Sequence, residues 1–238
     1  MPQIAIGGSG WRAPFWLYTV ALLLAVPMVP LIRQPARPAS APAGRELPPL
    51  PWRRLRTPCL VTLAGGVVFY ALIVELSFVL DGVGVQQAAT IGALSALMSL
   101  ATAVAAGSFA RLSGRTPRRL LPIAFGLAAA GFLLIAATPR VPVITAGAVL
   151  TGAGTGLLLP TLLTWATNNL GFEERGRGTG LWTGTLFVGE FFSPLLTSGL
   201  SAAAGGLRPA LGVATAVLAA TMPLIVPRTA GALNVTRD

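Results

Sequence analysis

Hydrophobic positions in this chain do not alternate with polar ones at a period of two or of 3.6. They come in unbroken apolar runs of about 20 residues, the length needed to cross hydrocarbon as a helix. Seven such runs predict seven spans, at about Ala13–Ile32, Pro58–Leu80, Ala88–Ala110, Leu120–Ala137, Val141–Leu170, Thr179–Ser198 and Ala210–Val226. Apart from Glu75 and Glu190, the charged residues are confined to the gaps. Residues 33–56 hold six prolines and six arginines, a composition that resists core formation and predicts a solvated, extended linker. Three regions result: residues 1–32 as a single span, 33–56 as the linker, and 57–238 as a six-helix bundle. The fold class expected is an all-α membrane protein.

Composition agrees. Hydrophobic residues make up 54% and charged residues only 10%, against roughly 25% charged in soluble chains. All 17 basic residues are arginines, and fourteen of them lie in 33–56, 111–119, 171–178 and 227–238. These are alternate gaps, so positive charge collects on one side of the membrane. That bias predicts the N-terminus outside and the C-terminus in the cytoplasm, as in a multi-pass protein of a bacterial inner membrane, and it speaks against a nucleic-acid-binding role for the charge. With no histidine and a single cysteine, Cys59, neither a His/Cys metal site nor an internal disulfide can be built. Cys59 reads as a small buried hydrophobe. No cofactor is called for, and no enzymatic constellation is present.

The gap Gly107–Arg119 carries a motif. Gly107, Gly114 and Arg115 are spaced as in the loop signature Gly-x-x-x-Asp-(Arg/Lys)-x-Gly-Arg-(Arg/Lys) of the major facilitator superfamily, which this stretch resembles. Arg111 stands where the signature has its acid. Gly107 is expected to allow close helix approach and Gly114 a tight turn. Gly152-Ala-Gly-Thr-Gly156 running into Pro160 is similar to the glycine-rich tenth span of that superfamily. Residues 175–184 followed by Gly189-Glu190-Phe-Phe-Ser193-Pro194 look like the loop and eleventh span of its bacterial drug-efflux members. The resemblance implies spans six to twelve of a twelve-span transporter: a C-terminal bundle plus one preceding helix, hence an incomplete bundle whose N-terminal half is missing. It also implies a small-molecule substrate and a proton as coupling ion.

Gly152/Gly156 and Gly180/Gly184 are small-xxx-small pairs that let helices pack closely. Ionisable groups within spans are the functional candidates, because each costs roughly 2.5–3.5 kcal/mol to insert at the bilayer centre. Glu190 falls near the midplane of its span. Thr183, Ser193 and Thr197 share its helix face, a polar stripe suited to binding a proton or a cationic substrate. Glu75 lies about 9 Å of helix rise from Asp81, which places it towards the outer interface. Thr161, Thr164, Trp165 and Asn168 form a further face near the inner end of the fifth span, and Ser95, Ser99 and Thr102 a weaker one. By the resemblance the second and fifth of these spans line a central path.

Two other classes compete with a transporter. A seven-helix receptor shares the topology, although a retinal protein is excluded because no lysine is present for a Schiff base. A non-transporting membrane partner that acts only by packing is the other.

Overall fold

The structure, a computed structural model, describes residues 17–31, 49–112, 117–168 and 170–218. All regular structure among them is helical: α1 (Leu17–Leu31), α2 (Trp52–Asp81), α3 (Ala88–Leu112), α4 (Pro117–Ala137), α5 (Val141–Asn168), α6 (Phe172–Ala204) and α7 (Leu207–Leu218). Helices α2 to α6 are long and apolar enough to cross a membrane. The first and last of the seven expected spans are described over shorter stretches, α1 and α7. The chain divides into two compact units, residues 1–47 and 48–238. The first contributes only α1, whose described side chains are exposed, among them Leu22, Leu23 and Val26.

The second unit is the bundle. Its helices run alternately up and down, as successive spans must. Positions along α2 and α6 rise together where they touch, from Gly66 beside Gly189 to Glu75 beside Thr197, so these two helices are parallel. Met98 and Ala105 of α3 meet Gly152 and Gly156 of α5 in the same order, another parallel pair. Helix α4 runs against α5, with Ala124 near Gly154 and Ile135 near Gly147.

Helix α5 is the centre, and its glycines are the reason. A Cβ at Gly152 or Gly156 would meet the carbonyls of Met98 or Thr102 on α3, and one at Gly147 or Gly154 would meet those of Gly131 or Ala124 on α4. Leu158 and Leu162 press on Gly65 of α2. Helices α3 and α4 thus approach α5 at backbone distance, which apolar membrane helices do only where side chains are absent, while α2 receives the α5 leucines on its own glycine. Between them lies a core that includes Leu72, Leu76, Phe125, Phe132, Leu158 and Trp165. Helix α7 docks on α4: the Arg208 guanidinium donates to the carbonyls of Ile135 and Ala136 at 3.0 Å each. Those carbonyls belong to the last turn of α4, where the helix leaves them without an internal donor.

Several helix ends differ from the sequence expectation. Helix α2 begins at Trp52, so the last part of the expected linker is helical; Leu55 and Cys59 are buried against Leu170 there. The helix of the sixth span starts at Phe172, ahead of the expected Thr179. The charged stretch 172–177 is its first turns and not a loop. The backbone N–H of Gly171 donates to the Glu174 carboxylate at 2.9 Å, and acids in a first turn favour the helix dipole. Its far end is set by Gly205 at φ 75°, a left-handed cap that leads into α7 within two residues.

Candidate functional site

The α2–α6 seam is where polar groups meet across helices. Gly66 and Gly189 bring the two backbones together: a Cβ on Gly189 would strike the Leu63 carbonyl, and one on Gly66 the Leu186 carbonyl at 2.5 Å. That approach lets short side chains reach the opposite helix. Ser193 Oγ donates to the Val67 carbonyl at 2.8 Å. One turn on, Thr197 Oγ1 lies 2.6 Å from Glu75 Oε1 and donates to it. Ser193 and Thr197 are buried, and Glu75 is only 9% exposed.

The Thr197 hydroxyl also lies 3.1 Å from the Ser193 carbonyl and 3.2 Å from that of Pro194. It has one proton to give. It can point that proton at an ionised Glu75, or turn it back onto its own helix and accept a hydrogen bond from a protonated Glu75.

Glu190 stands on the flank of the same seam, half-buried. It lies seven residues before Thr197, about 10 Å along the helix axis. Among the described residues no side chain pairs with it. Pro194 has no N–H to give the Glu190 backbone carbonyl, so that carbonyl is a second acceptor beside the carboxyl. Glu190, Ser193, Thr197 and Glu75 thus form a polar line along one seam of an apolar bundle.

The other expected site residues scatter. Thr183 is half-buried without a described hydrogen bond through its side chain. Trp165 is 1% exposed, and its indole N–H has no hydrogen-bond partner among the described residues. It packs in the core and not with Asn168, which is exposed at the end of α5. Thr161, expected on the same face, is buried and bonds back to the Leu157 carbonyl at 2.7 Å. In the basic gap, Gly107 and Arg111 belong to the last turns of α3. Gly107 has open space where a side chain would stand, so within this bundle it makes no close approach. Arg111 is exposed beside the carbonyls that end the helix. Gly114 and Arg115 lie outside the described residues.

A second feature was not expected. A cleft of about 180 Å³ opens between α2, α3 and α5, lined by Phe69, Leu72, Ile73, Met98, Ser99, Thr102, Thr151 and Thr155. Only Ser99 and Thr102 stood out in the sequence. Thr151 and Thr155 sit among the glycines of α5, and Phe69 looks like any lipid-facing aromatic until three helices are assembled around it.

A search among curated proteins finds no match. The family model of the Major Facilitator Superfamily matches residues 59–236, a stretch that begins inside α2 and takes in every helix of the bundle from there on. With five membrane-length helices and a match over three quarters of its length, the chain is an integral multi-pass membrane protein that belongs to the Major Facilitator Superfamily, a family of transporters of small molecules.

Proposed function

We propose that this protein is a proton-coupled secondary transporter of the export type, and that its proton site is the α2–α6 seam. One observation carries the reading: the buried Glu75 carboxyl bonds across the seam to Thr197 at 2.6 Å. A carboxyl with a hydroxyl partner that can both donate and accept holds or loses a proton without leaving a polar group orphaned in an apolar setting. Glu190, half-buried and unpaired two turns away, supplies the second station, where a proton or a cationic group on the substrate is met. Ser193 lies between the two. Changing charge on this line alters the attraction between two helices that touch through glycine, which is how a proton would bias their packing.

The arginine distribution favours 33–56, 111–119, 171–178 and 227–238 on the cytoplasmic side, with the N-terminus outside, in a bacterial inner membrane. By their resemblance to the superfamily, residues 1–32 are the last span of a preceding bundle, 33–56 the central cytoplasmic linker, and 57–238 the second bundle. Helices α3 and α6 leave long apolar faces exposed in this bundle. We take one of them to face a second bundle with which the path is shared, so that this chain alone inserts but does not transport. The receptor reading loses ground to the family match.

The reading is tested by infrared difference spectroscopy on the reconstituted chain, cycled between acidic and alkaline buffer. A carboxylic C=O band should appear at low pH and be absent in Glu75→Gln, with a second contribution lost in Glu190→Gln. Spectra that carry no such band in the unsubstituted protein would rule out proton coupling through this seam.

A further inference from the structure

The cleft between α2, α3 and α5 lies near the middle of all three helices, and neither Glu75 nor Glu190 lines it. No residue of α6 reaches it. It is therefore a place apart from the proton line, on a different side of α2. Membrane transporters bind their cargo near the midplane, in cavities between helices. What this one would bind follows from where its hydroxyl protons go.

Four hydroxyl residues line the cleft. Ser99 donates its proton to the Ser95 carbonyl at 2.9 Å and Thr102 to the Met98 carbonyl at 3.0 Å. Thr155 donates to Thr151 or Gly152 at 3.0 and 3.1 Å. A hydroxyl has one proton and two lone pairs. In these three the proton is already engaged with the helix's own backbone, so what remains for a ligand is acceptor capacity. Turning a proton towards a ligand would give up a bond already made. The fourth hydroxyl, Thr151, has no hydrogen-bond partner among the described residues, but its oxygen is fully buried, against Gly131 of α4, and does not open into the cleft. The cleft thus offers acceptors and no spare donor.

The rest of the lining is apolar: the Phe69 ring, the Met98 thioether, Leu72 and Ile73. A ring against a thioether and a phenyl group is well accommodated. There is no charged side chain in the wall. An anion would find no donor, and a cation would give up its hydration without a counter-charge. The volume is close to that of an engineered cavity of about 150 Å³ that takes benzene.

We infer that the α2–α3–α5 cleft is a binding site for small uncharged molecules with an apolar, ring-sized body and one O–H or N–H donor, such as simple phenols and alcohols. Ser99 and Thr102 receive the donor from α3 and Thr155 from α5, while Phe69 and Met98 hold the body. As the cargo site of the transporter this rests on the transport reading above; as a binding site it stands without it.

The experiment uses the full chain in nanodiscs at constant pH, with tritiated para-cresol as probe and empty nanodiscs subtracted for partition into lipid. The phenol should bind several-fold, up to about tenfold, more tightly than its methyl ether, the worth of one hydrogen bond. The carboxylate para-toluate should not compete. Ser99→Ala combined with Thr102→Val and Thr155→Val removes all three acceptors at nearly constant volume, and should bring the phenol down to the level of the ether while leaving the ether unchanged. Ile73→Trp, at an exposed rim position, should exclude both. Equal binding of phenol and ether would show a plain apolar groove of the kind an acyl chain fills and would overturn the inference, as would preference for the carboxylate. Because pH is held constant, failure of the infrared test of Glu75 leaves this result unaffected, and failure here leaves that one standing.

Discussion

The contact between α3 and α5 and the contact between α2 and α6 begin from the same device and end differently. Both are parallel helix pairs brought to backbone distance by glycine: Gly152 and Gly156 in the first, Gly66 and Gly189 in the second. At the α3–α5 contact the hydroxyls of Ser99, Thr102 and Thr155 bond to their own helices. Nothing there answers to charge. At the α2–α6 contact two hydroxyls cross the seam, one to a carbonyl and one to a carboxyl. Close approach through glycine is thus a precondition, and the polar partner decides whether a hydroxyl bonds across the contact or within its own helix. Without side chains in the way, a serine or threonine on one helix reaches the backbone or an acid on the other. With no acid within reach, it turns back onto its own carbonyls.

The sharpest way to separate the two contacts is to fill them. Gly156→Val places branched carbon against the Thr102 carbonyl and the Ala105 side chain. Overpacking of this kind costs about 1–3 kcal/mol, and here the obstacle is backbone, which cannot rotate away. The midpoint of unfolding in sodium dodecyl sulfate should fall clearly, by the same amount at every pH tested. Gly189→Val should also lower it, since the Leu63 carbonyl stands in the way. In that variant the seam is forced apart and the Glu75 band should change as well. If both variants lose stability and both leave the carboxyl band intact, the seam does not hold Glu75 in place.

A smaller effect tests the bond itself. Thr197→Val keeps the shape and removes the hydroxyl. Hydrogen bonds between membrane helices are worth about 0.6 kcal/mol on average and up to about 1.7, so a modest drop in stability is expected. Glu75→Gln keeps an acceptor for Thr197 and should leave stability near that of the unsubstituted chain, while removing the carboxylic band. Stability lost in the first variant and the band lost in the second would divide the structural from the protonic role of the pair. Loss of both properties in Glu75→Gln would contradict that division.

How far these roles were legible in the sequence depends on what kind of information each needs. Span positions need only composition along the chain, and the apolar runs predicted helices close to α2 through α5. Helix α6 starts ahead of the expected span because charge ends a membrane span but not a helix. The local signal was there, in Gly171 followed at the third position by Glu174, and it marks a helix start whatever lies beyond. Glu75 illustrates a deeper limit. Its distance from Asp81 gives depth in the membrane, and depth suggested an interfacial acid. Its rotation about the helix axis, and the hydroxyl 122 residues later that meets it, come only from the assembly. The cleft is less legible still, since each of its hydroxyls reads as an ordinary membrane Ser or Thr until three helices are in place. The polar line on α6 was visible as a stripe, because the residues involved lie on one helix. Trp165 and Asn168 share a face as well, yet burial divides them.

The smallest expected effect concerns the glycine pair whose spacing says one thing and whose surroundings say another. Gly180 and Gly184 repeat the four-residue spacing of Gly152 and Gly156, and the sequence gives no reason to treat them differently. In the bundle a Cβ at Gly152 or Gly156 meets backbone, whereas at Gly180 or Gly184 it meets nothing within 4 Å. Spacing places two small residues on one face of a helix but does not say whether a neighbour comes to that face. Alanine at either position of α6 should therefore leave the unfolding midpoint unchanged or raise it slightly, since replacing glycine within a helix favours the helix by up to about 1 kcal/mol. The same change at Gly152 should lower it. Measured on the chain alone, a clear loss of stability in Gly180→Ala or Gly184→Ala would mean that this face of α6 is packed against something within the chain. The comparison between glycine that closes a contact and glycine that leaves one open would then have to be redrawn.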